Sequence, residues 1–341
     1  MSRISLTPQA EDQALIEAVA PVLRAELPLS SLAADPMRMA PDFWSRVAEL
    51  GWMTNALDEA HGGAGLDVVQ DMLINREYGR HLAPVSLLAT SLGIRLLALS
   101  ALPIPSALKS GVERIGFAAY MTGGQIGPTL EGEVHLIDAE AAHFLIVEDA
   151  GAALFARDAV GDAIAVESLD PTVTLARATL RRVPAAFSRA QDSALSIRMQ
   201  LLIAAQLTGV ALAASEMAAE YAKVRVQFGK PIGAFQAVAH LCVDASVRAR
   251  ASDALIAIAA IAVRDEWPRA QLQVASAALL ADSAAFLAGT NNIQVHGGMG
   301  YSAESGAHLF LKRCVLLRRL LMHGDAAKKA LLCRTSGNEH G

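Results

Sequence analysis

The chain has 341 residues, 53% of them hydrophobic, with 29 basic against 34 acidic side chains and a net charge of −5. That length predicts two or three compact units, and the apolar content is enough for a large core and extensive subunit contacts. No basic block or aromatic-interleaved patch stands out, which argues against a nucleic-acid partner. Cys242, Cys314 and Cys333 are scattered without a CxxC pair. Free thiols, a reducing cytoplasmic setting and no metal centre are expected, and His240 and His296 have no partner at zinc-ligand spacing.

The N-terminal MSRISLTPQAEDQALIEA lacks an apolar core of the kind a secretory signal needs. Residues 10–110 read as helices with polar breaks. Asp42-Phe43-Trp44 opens a segment whose apolar positions Phe43, Val47 and Leu50 recur at helical spacing, and Gly51 is placed to end it. Trp44 and Trp52 read as core residues. His61 to Gly65, HGGAG, is a flexible turn. Asp67 to His81 is helical again, Leu82-Ala83-Pro84 breaks the run, an apolar helix follows, and Pro103 and Pro105 close the region. From about Ile115 to Val183 the pattern changes to short apolar runs, IGFAAY, VHLI, HFLIVE and AALFA, separated by Gly, Asp and Pro. Such runs predict strands. After Pro184 the chain is long and alanine-rich, with helices expected over 189–225, 236–264, 268–288 and 303–333. Met199 to Ser215 is the longest charge-free apolar stretch; Gln200, Gln206, Thr208 and Gly209 interrupt it, so it reads as a buried bundle helix rather than a membrane span. The expected fold is mainly α with a small β-domain: an N-terminal helical domain (1–110), a reduced middle β-domain (111–188) and a C-terminal four-helix bundle (189–341).

Two segments carry most of the chemistry. RVQFGKPIGAFQ, Arg225 to Gln236, places a cation, an amide, an aromatic ring and a glycine within five residues and then turns at Pro231. QVHGGMGY, Gln294 to Tyr301, sets Gly297-Gly298 and Gly300 beside a glutamine and a histidine, and Glu304 follows. Helix ends and glycine turns expose backbone N–H groups that bind phosphate. Arg225 and Gln227 add a charge and an amide, Gly229 permits close approach, and Phe228 offers a flat face on which an adenine or flavin could stack. Each segment by itself is equally readable as ordinary helix–turn–helix punctuation. Glu304, at the start of the expected 303–333 helix, is either a dipole-favoured capping carboxylate or, if turned into an apolar pocket, a base with a raised pKa. His308, four residues on, is a surface ion-pair partner or a modulator of Glu304. Arg248 and Arg250 with Asp244 and Asp253 read as a solvated or inter-subunit face.

Taken together and in order, these segments resemble the acyl-CoA dehydrogenase family of flavoproteins. FWSRVAELGWM (43–53), HGGAGLDVVQ (61–70) and YGRHLAP (78–84) look like its N-terminal helical domain, and YAKVRVQFGKPIGAFQAVAH (221–240) and NNIQVHGGMGYSAES (291–305) look like its two signatures. The resemblance covers nearly the whole chain and is strong in the first and last thirds. It implies the same three-domain fold, FAD as cofactor, an acyl-CoA thioester as substrate, α,β-dehydrogenation and an electron-transfer acceptor. By motif position, Arg225, Gln227 and Phe228 would contact the FAD adenosine and pyrophosphate, with Gln294, Gly297 and Gly298 completing that half-site, usually for the FAD of a neighbouring subunit. Glu304 falls at the family's usual catalytic-base position. Some members carry the base on an earlier bundle helix; the matching residue here is Met199, which cannot act as one.

Three departures shape the expectation. The chain is shorter than a typical member, mainly in the β-domain. The acidic-Gly-Ser-Asp segment that usually holds the flavin ring has no match, and FAAYMTGGQIGP (117–128) stands in its place. The Glu-Gly-Thr that usually follows the base is absent, with His323-Gly324-Asp325 near that point. This resembles the short subunits of heteromeric acyl-CoA dehydrogenases that act on bulky steroid-derived acyl-CoAs. A hetero-oligomer with a second acyl-CoA dehydrogenase-like subunit, most simply α2β2, is therefore expected. The alternatives are a non-catalytic subunit that completes a partner's FAD site, an oxygen-reactive oxidase or monooxygenase of the same fold, and a plain helical scaffold.

Overall fold

The computed structural model describes residues 10–321, apart from 38, 39, 41, 123, 125, 149, 150, 191, 192 and 303. Cys333, the His323-Gly324-Asp325 segment and the end of the expected 303–333 helix lie outside the described residues. The chain is mainly α-helical, with a sheet in its middle and a helical C-terminal region.

The N-terminal elements are α1 (Ala10–Glu26), α2 (Leu29–Ala34), α3 (Phe43–Glu49), α4 (Val68–Arg80), α5 (Val85–Leu99) and α6 (Ser106–Lys109). α3 buries Phe43, Trp44 and Val47, and Gly51, at φ 70°, closes it by donating its N–H to the Ala48 carbonyl. Trp52 is buried as well. α5 starts directly after Pro84, whose fixed φ suits the position before a helix, and most of its residues are buried.

The strands are β1 (Ile115–Tyr120), β2 (Thr129–Ile137), β3 (His143–Glu148), β4 (Gly151–Ala156), β5 (Ala163–Val166), β6 (Leu175–Pro184) and β7 (Phe187–Ala190). They form one sheet in the order β5-β6-β2-β1-β3-β4-β7. β1 is parallel to β3, with Phe117 opposite Leu145, and antiparallel to β2, with Phe117 opposite Ile137. The four apolar runs singled out in the sequence all lie in strands of this sheet. β6 shows why its own run is less visible: alternate residues Ala176, Ala178 and Leu180 face a core containing Val134, Phe144 and Phe155, while Arg177, Thr179 and Arg181 face out.

The C-terminal elements are α7 (Ser193–Val224), a two-strand hairpin β8 (Val226–Gln227) and β9 (Lys230–Pro231), α8 (Gln236–Arg264), α9 (Ala270–His296) and α10 (Ala307–Leu321). α9 runs eight residues past the expected end at 288. Gly289 is not a terminator there: a Cβ on it would lie 3.0 Å from Leu311 Cα, so the glycine lets α10 approach α9. Two stretches, Ser193–Val224 and Ala270–Tyr301, are long and apolar enough to cross a membrane by length and composition alone. In the first, 83% of the most apolar window is buried within the protein, the environment of a core helix.

Contacts divide the chain into two compact units, one of Met1–Arg38, Val68–Ala83 and Gln200–Gly341, the other of Met39–Asp67 and Pro84–Met199. Inside the first, α4 and α7 cross backbone to backbone. A Cβ on Gly79 would lie 1.9 Å from the Gln206 carbonyl oxygen, and one on Gly209 would lie 2.0 Å from that of Arg76. Beside the crossing, Gln206 Nε2 donates to Asn75 Oδ1 (3.0 Å). In the same unit the buried Arg313 of α10 donates to the Ala83 carbonyl at 2.6 Å, just past the end of α4.

Candidate functional site

The first signature begins where α7 ends. Arg225 N–H donates to the Tyr221 carbonyl (2.9 Å), and the chain then makes a two-residue turn between β8 and β9. Phe228 and Gly229 sit at the tip with φ of 51° and 79°. Positive φ at both central positions is the hairpin turn whose twist matches its strands. The turn thus lies at Phe228-Gly229, not at Pro231 as expected. Proline cannot adopt positive φ, and Pro231 instead leads into a short 3-10 turn, Ile232–Ala234. Phe228 is 91% exposed, an unusual position for a strained aromatic residue. Arg225, Gln227, Gly229 and Lys230 are exposed with it.

α8 starts soon after Lys230, at Gln236. Its N-cap position, Phe235, provides no side-chain acceptor, and its carbonyl takes the Val238 N–H at 3.0 Å, so the uncapped first-turn amides are those of Gln236 and Ala237. Uncapped amides at a helix N-terminus favour an anion.

The second signature lies at the other end of α9. Gln294 is in the last helical turn rather than in a loop, and its side chain is exposed. Gly297 closes the helix at φ 59°, ψ −136°, a backbone state that needs glycine, and its N–H donates to the Gln294 carbonyl. The 3-10 turn Gly297–Tyr301 folds back on α9: a Cβ on Gly300 would lie 2.4 Å from the Ile293 carbonyl oxygen. At Gly229, Gly297 and Gly298 a Cβ would meet no atom within 4 Å, so the backbone there is open to a ligand.

The two signatures meet at one end of the helical unit. Tyr221 and His296 stack with ring centroids 4.0 Å apart and planes 21° from parallel. Below the stack, Ala218, Ala222, Cys242 and Val295 form a small cluster joined by Tyr221, Ile232, Val238 and Leu241. Sequence spacing raises only one question about His296, whether it is a metal ligand. The structure makes it a buried ring that links segments 75 positions apart, for which spacing carries no signal. Among the described residues no group of side chains could hold a metal ion.

Glu304 stands apart from these groups. It lies in a turn before α10 and is exposed. The expectation that it starts a helix is corrected: α10 begins at Ala307, after Gly306 at φ 63°, where Leu29 of α2 packs so closely that a Cβ would lie 3.0 Å from its Cγ. Glu304 and His308 therefore do not share a helix face. Partial burial, with Lys312 adding to it, moves the His308 pKa down.

A second concave feature lies in the same unit, a cleft of about 560 Å³ lined by α1, α4, α7 and α8. Several of its charges are paired within it. Arg80 forks onto Glu216 (2.6 and 3.3 Å), and Arg76 reaches Asp253 (2.9 Å) and Glu77 (3.3 Å). Asp253 is thus turned inward and paired. Arg250, though exposed, lines the same cleft 3.9 Å from Glu216, while Asp244 and Arg248 keep to the exposed face as expected. Burial raises the Glu77 pKa despite the two arginines. Burial, with Arg80 and Arg24, lowers that of His81 to about 4.

Two family matches cover the chain's ends: the acyl-CoA dehydrogenase N-terminal domain over residues 9–102 and the acyl-CoA dehydrogenase C-terminal domain over residues 189–320. Acyl-CoA dehydrogenase IpdE2 of Mycobacterium tuberculosis is 30% identical over 315 residues, 90% of this chain and 92% of that protein. The chain belongs to the acyl-CoA dehydrogenase family. It is an oxidoreductase chain of the acyl-CoA dehydrogenase type. Acyl-CoA dehydrogenase FadE34 of the same organism is 34% identical over 80% of this chain, which spans only 39% of FadE34's length. The ChsE4-ChsE5 complex from Mycobacterium tuberculosis shares the fold, with a TM-score of 0.84 at 23% identity over 99% of this chain and 100% of that one.

A solved structure of the same fold, PigA, holds FAD and proline; it is 18% identical, with a TM-score of 0.78. The end of the helical unit described above fits the phosphate and adenosine part of such a cofactor. It offers a cation at Arg225, amides at Gln227 and Gln294, uncapped first-turn N–H groups of α8, open glycine backbone and an exposed aromatic face. Of the segment 117–128, which stands where the family's ring-binding residues would be, Gly123 and Gln125 lie outside the described residues.

Proposed function

We propose that this chain takes part in the FAD-dependent α,β-dehydrogenation of an acyl-CoA thioester, as one subunit of a hetero-oligomer. The observation that carries this reading is the convergence of Arg225, Gln227, Phe228, Gln294, Gly297 and Gly298 at one end of the helical unit, joined through the Tyr221–His296 stack. Arg225 would hold the pyrophosphate by a charge-assisted hydrogen bond, and Gln227 and Gln294 would add neutral ones. Phe228 would lie against the adenine. Bound FAD would supply the acceptor for the Cβ hydride. Glu304 would take the Cα proton on a carboxylate oxygen, the thioester carbonyl having made that proton acidic. The substrate class proposed is a bulky steroid-derived acyl-CoA, with an external electron-transfer acceptor, in a cytoplasmic setting.

The partner is inferred from two features. On this reading Arg225, Gln227, Gln294 and the glycine turn would supply the adenosine side, whereas the sequence that should hold the flavin ring departs from the family pattern. The similarity to a fold found in a complex of two differently named chains points the same way. A second reading has an observation of its own: Glu304 is exposed, so this chain by itself does not give the carboxylate the apolar surroundings that suit a base toward carbon. On that reading the chain lends its adenosine half-site to a partner that carries the base. Co-expression with the neighbouring reading frames, followed by an absorbance spectrum and acyl-CoA turnover of the purified complex, tests the proposal. A flavin-containing complex that loses turnover on Glu304→Gln supports the first reading. Full turnover in that variant supports the second, and a flavin-free complex refutes both.

A further inference from the structure

The two segments of the proposed half-site hang from the C-terminal ends of different helices, α7 and α9, where helices usually fray. We infer that His296, through its stack on Tyr221, is a positioning residue that holds the Gly297-Gly298 turn and the Arg225 hairpin in one fixed relation for FAD. This rests on the half-site reading above.

The geometry on the α9 side fixes the ring. His296 is the last residue of α9, is 7% exposed, and its Nδ1–H donates to the Asn292 carbonyl at 2.8 Å. A carbonyl can only accept, so Nδ1 carries the proton and the orientation of the imidazole is set. Residues two apart on a helix point to nearly opposite sides. Pinning His296 inward therefore turns Gln294 outward. The residue directly after the pinned histidine is Gly297, where the open turn begins. Neighbouring contacts hold the same turn of α9: Asn291 Nδ2 donates to the Leu241 carbonyl of α8 at 2.9 Å, and Asn292 Nδ2 approaches Met217 Sδ of α7 at 3.4 Å.

The α7 side receives the ring one helical turn before the hairpin. The Tyr221 carbonyl accepts the Arg225 N–H, so a shift of Tyr221 moves the base of the hairpin directly. Ile232, where the chain leaves the hairpin, donates back to the Arg225 carbonyl at 2.8 Å and packs in the same small cluster. Gly233 fits against Ala222, where a Cβ would lie 3.0 Å from the carbonyl oxygen. A stacked aromatic pair prefers a defined offset and plane, which an aliphatic contact of equal area does not. That property suits a part whose task is to set the distance between two binding segments.

The test uses the full-length chain, alone and in the form in which it co-purifies with flavin. Hydrogen exchange of the 225–230 amides is followed without FAD, and FAD affinity by quenching of flavin fluorescence. His296→Ala and Tyr221→Leu should each raise exchange in the hairpin and weaken FAD binding on the order of tenfold, the size expected for two contacting side chains. His296→Phe keeps a flat ring for the stack but loses the Nδ1–H bond to Asn292, so it should fall between the parent and His296→Ala. The double variant should be little worse than either single one. A merely structural histidine would lower overall stability without this pattern of hairpin exchange, rescue by Phe and non-additivity. If His296→Ala does not fold, Tyr221→Leu and His296→Phe carry the test. Unchanged hairpin exchange in the ring-deleted variants, or a Phe variant as weak as the Ala one, overturns the inference. Arg225→Ala serves as the control: if it weakens FAD while His296→Ala and Tyr221→Leu do not, the positioning role alone fails, and if it leaves FAD affinity unchanged, the half-site reading fails with it.

Discussion

Arg225 stands exposed at the base of its hairpin, free of a large desolvation cost and close to open glycine backbone. Its replacement by alanine should weaken FAD retention by about 1.5–3 kcal/mol, the usual range for a charge-assisted hydrogen bond. Titration of the folded variant with FAD measures this, and an unchanged affinity removes Arg225 from the site. Glu304→Gln fills the same space but cannot accept a proton. Folding and flavin content should be retained while dehydrogenation falls by more than about 100-fold. Wild-type turnover would place the base on another chain. His81 gives a prediction about pH. Its pKa in the folded chain is about 4, against an ordinary histidine value of 6.5, with burial the main cause. Between those values the unfolded chain binds a proton that the folded chain does not, so this residue's share of stability is present above pH 6.5 and is lost as pH falls toward 4. The loss is on the order of 1–3 kcal/mol, partial exposure of the ring keeping it below the full value of the shift. Thermal melts across that window should show a shallower acid limb for His81→Gln than for the parent, and identical limbs would show that His81 is not the group responsible.

At the scale of the element, the crossing of α4 and α7 depends on two residues with no side chain. Gly79→Ala and Gly209→Ala each place a methyl about 2 Å from a backbone oxygen of the other helix, and neither backbone can move without disturbing the matched charges of Arg76 and Arg80 nearby. Each should cost about 1–3 kcal/mol or more in denaturant unfolding. Gly161→Ala, where a Cβ meets nothing within 4 Å, should be near neutral. Equal midpoints for all three would contradict the close crossing. Elements also differ in how plainly the sequence shows them. IGFAAY and HFLIVE are continuous apolar runs because β1 and β3 are largely buried. β6 alternates small or leucine side chains with exposed arginine and threonine, and β5 is four residues long and mostly exposed, so both give a faint apolar signal. The expected end of α9 at 288 falls eight residues early. Gly289 has a packing role that only its neighbour Leu311 discloses.

For the whole molecule, the expected assembly is a hetero-oligomer, most simply α2β2, with fewer FAD molecules than chains. The proposed adenosine half-site would be supplied by this chain, and a partner that keeps the ring-binding segment would supply the other part. Exposed apolar residues Val224, Val226, Phe228, Val243 and Val247 cluster in sequence around the hairpin and the start of α8, as an interface would require. Native mass measurement and flavin quantification on co-purified material decide the matter. A homotetramer of this chain with one FAD per chain and full activity would overturn it.

The sequence by itself determined the succession of helices, strands and helices, because apolar periodicity and turn residues are local properties of the chain. It also marked the two signature segments, since a cation, amides and glycines at fixed offsets are visible without any knowledge of the fold. What it could not supply was distance between remote residues. Only the tertiary structure brought Tyr221 against His296, turned Asp253 inward to Arg76, moved the hairpin turn from Pro231 to Phe228-Gly229 and left Glu304 exposed ahead of α10. Those outcomes depend on which helix faces meet and how closely their backbones approach, and close approach is set by pairs of residues far apart in sequence, such as Gly79 with Gln206 and Gly289 with Leu311.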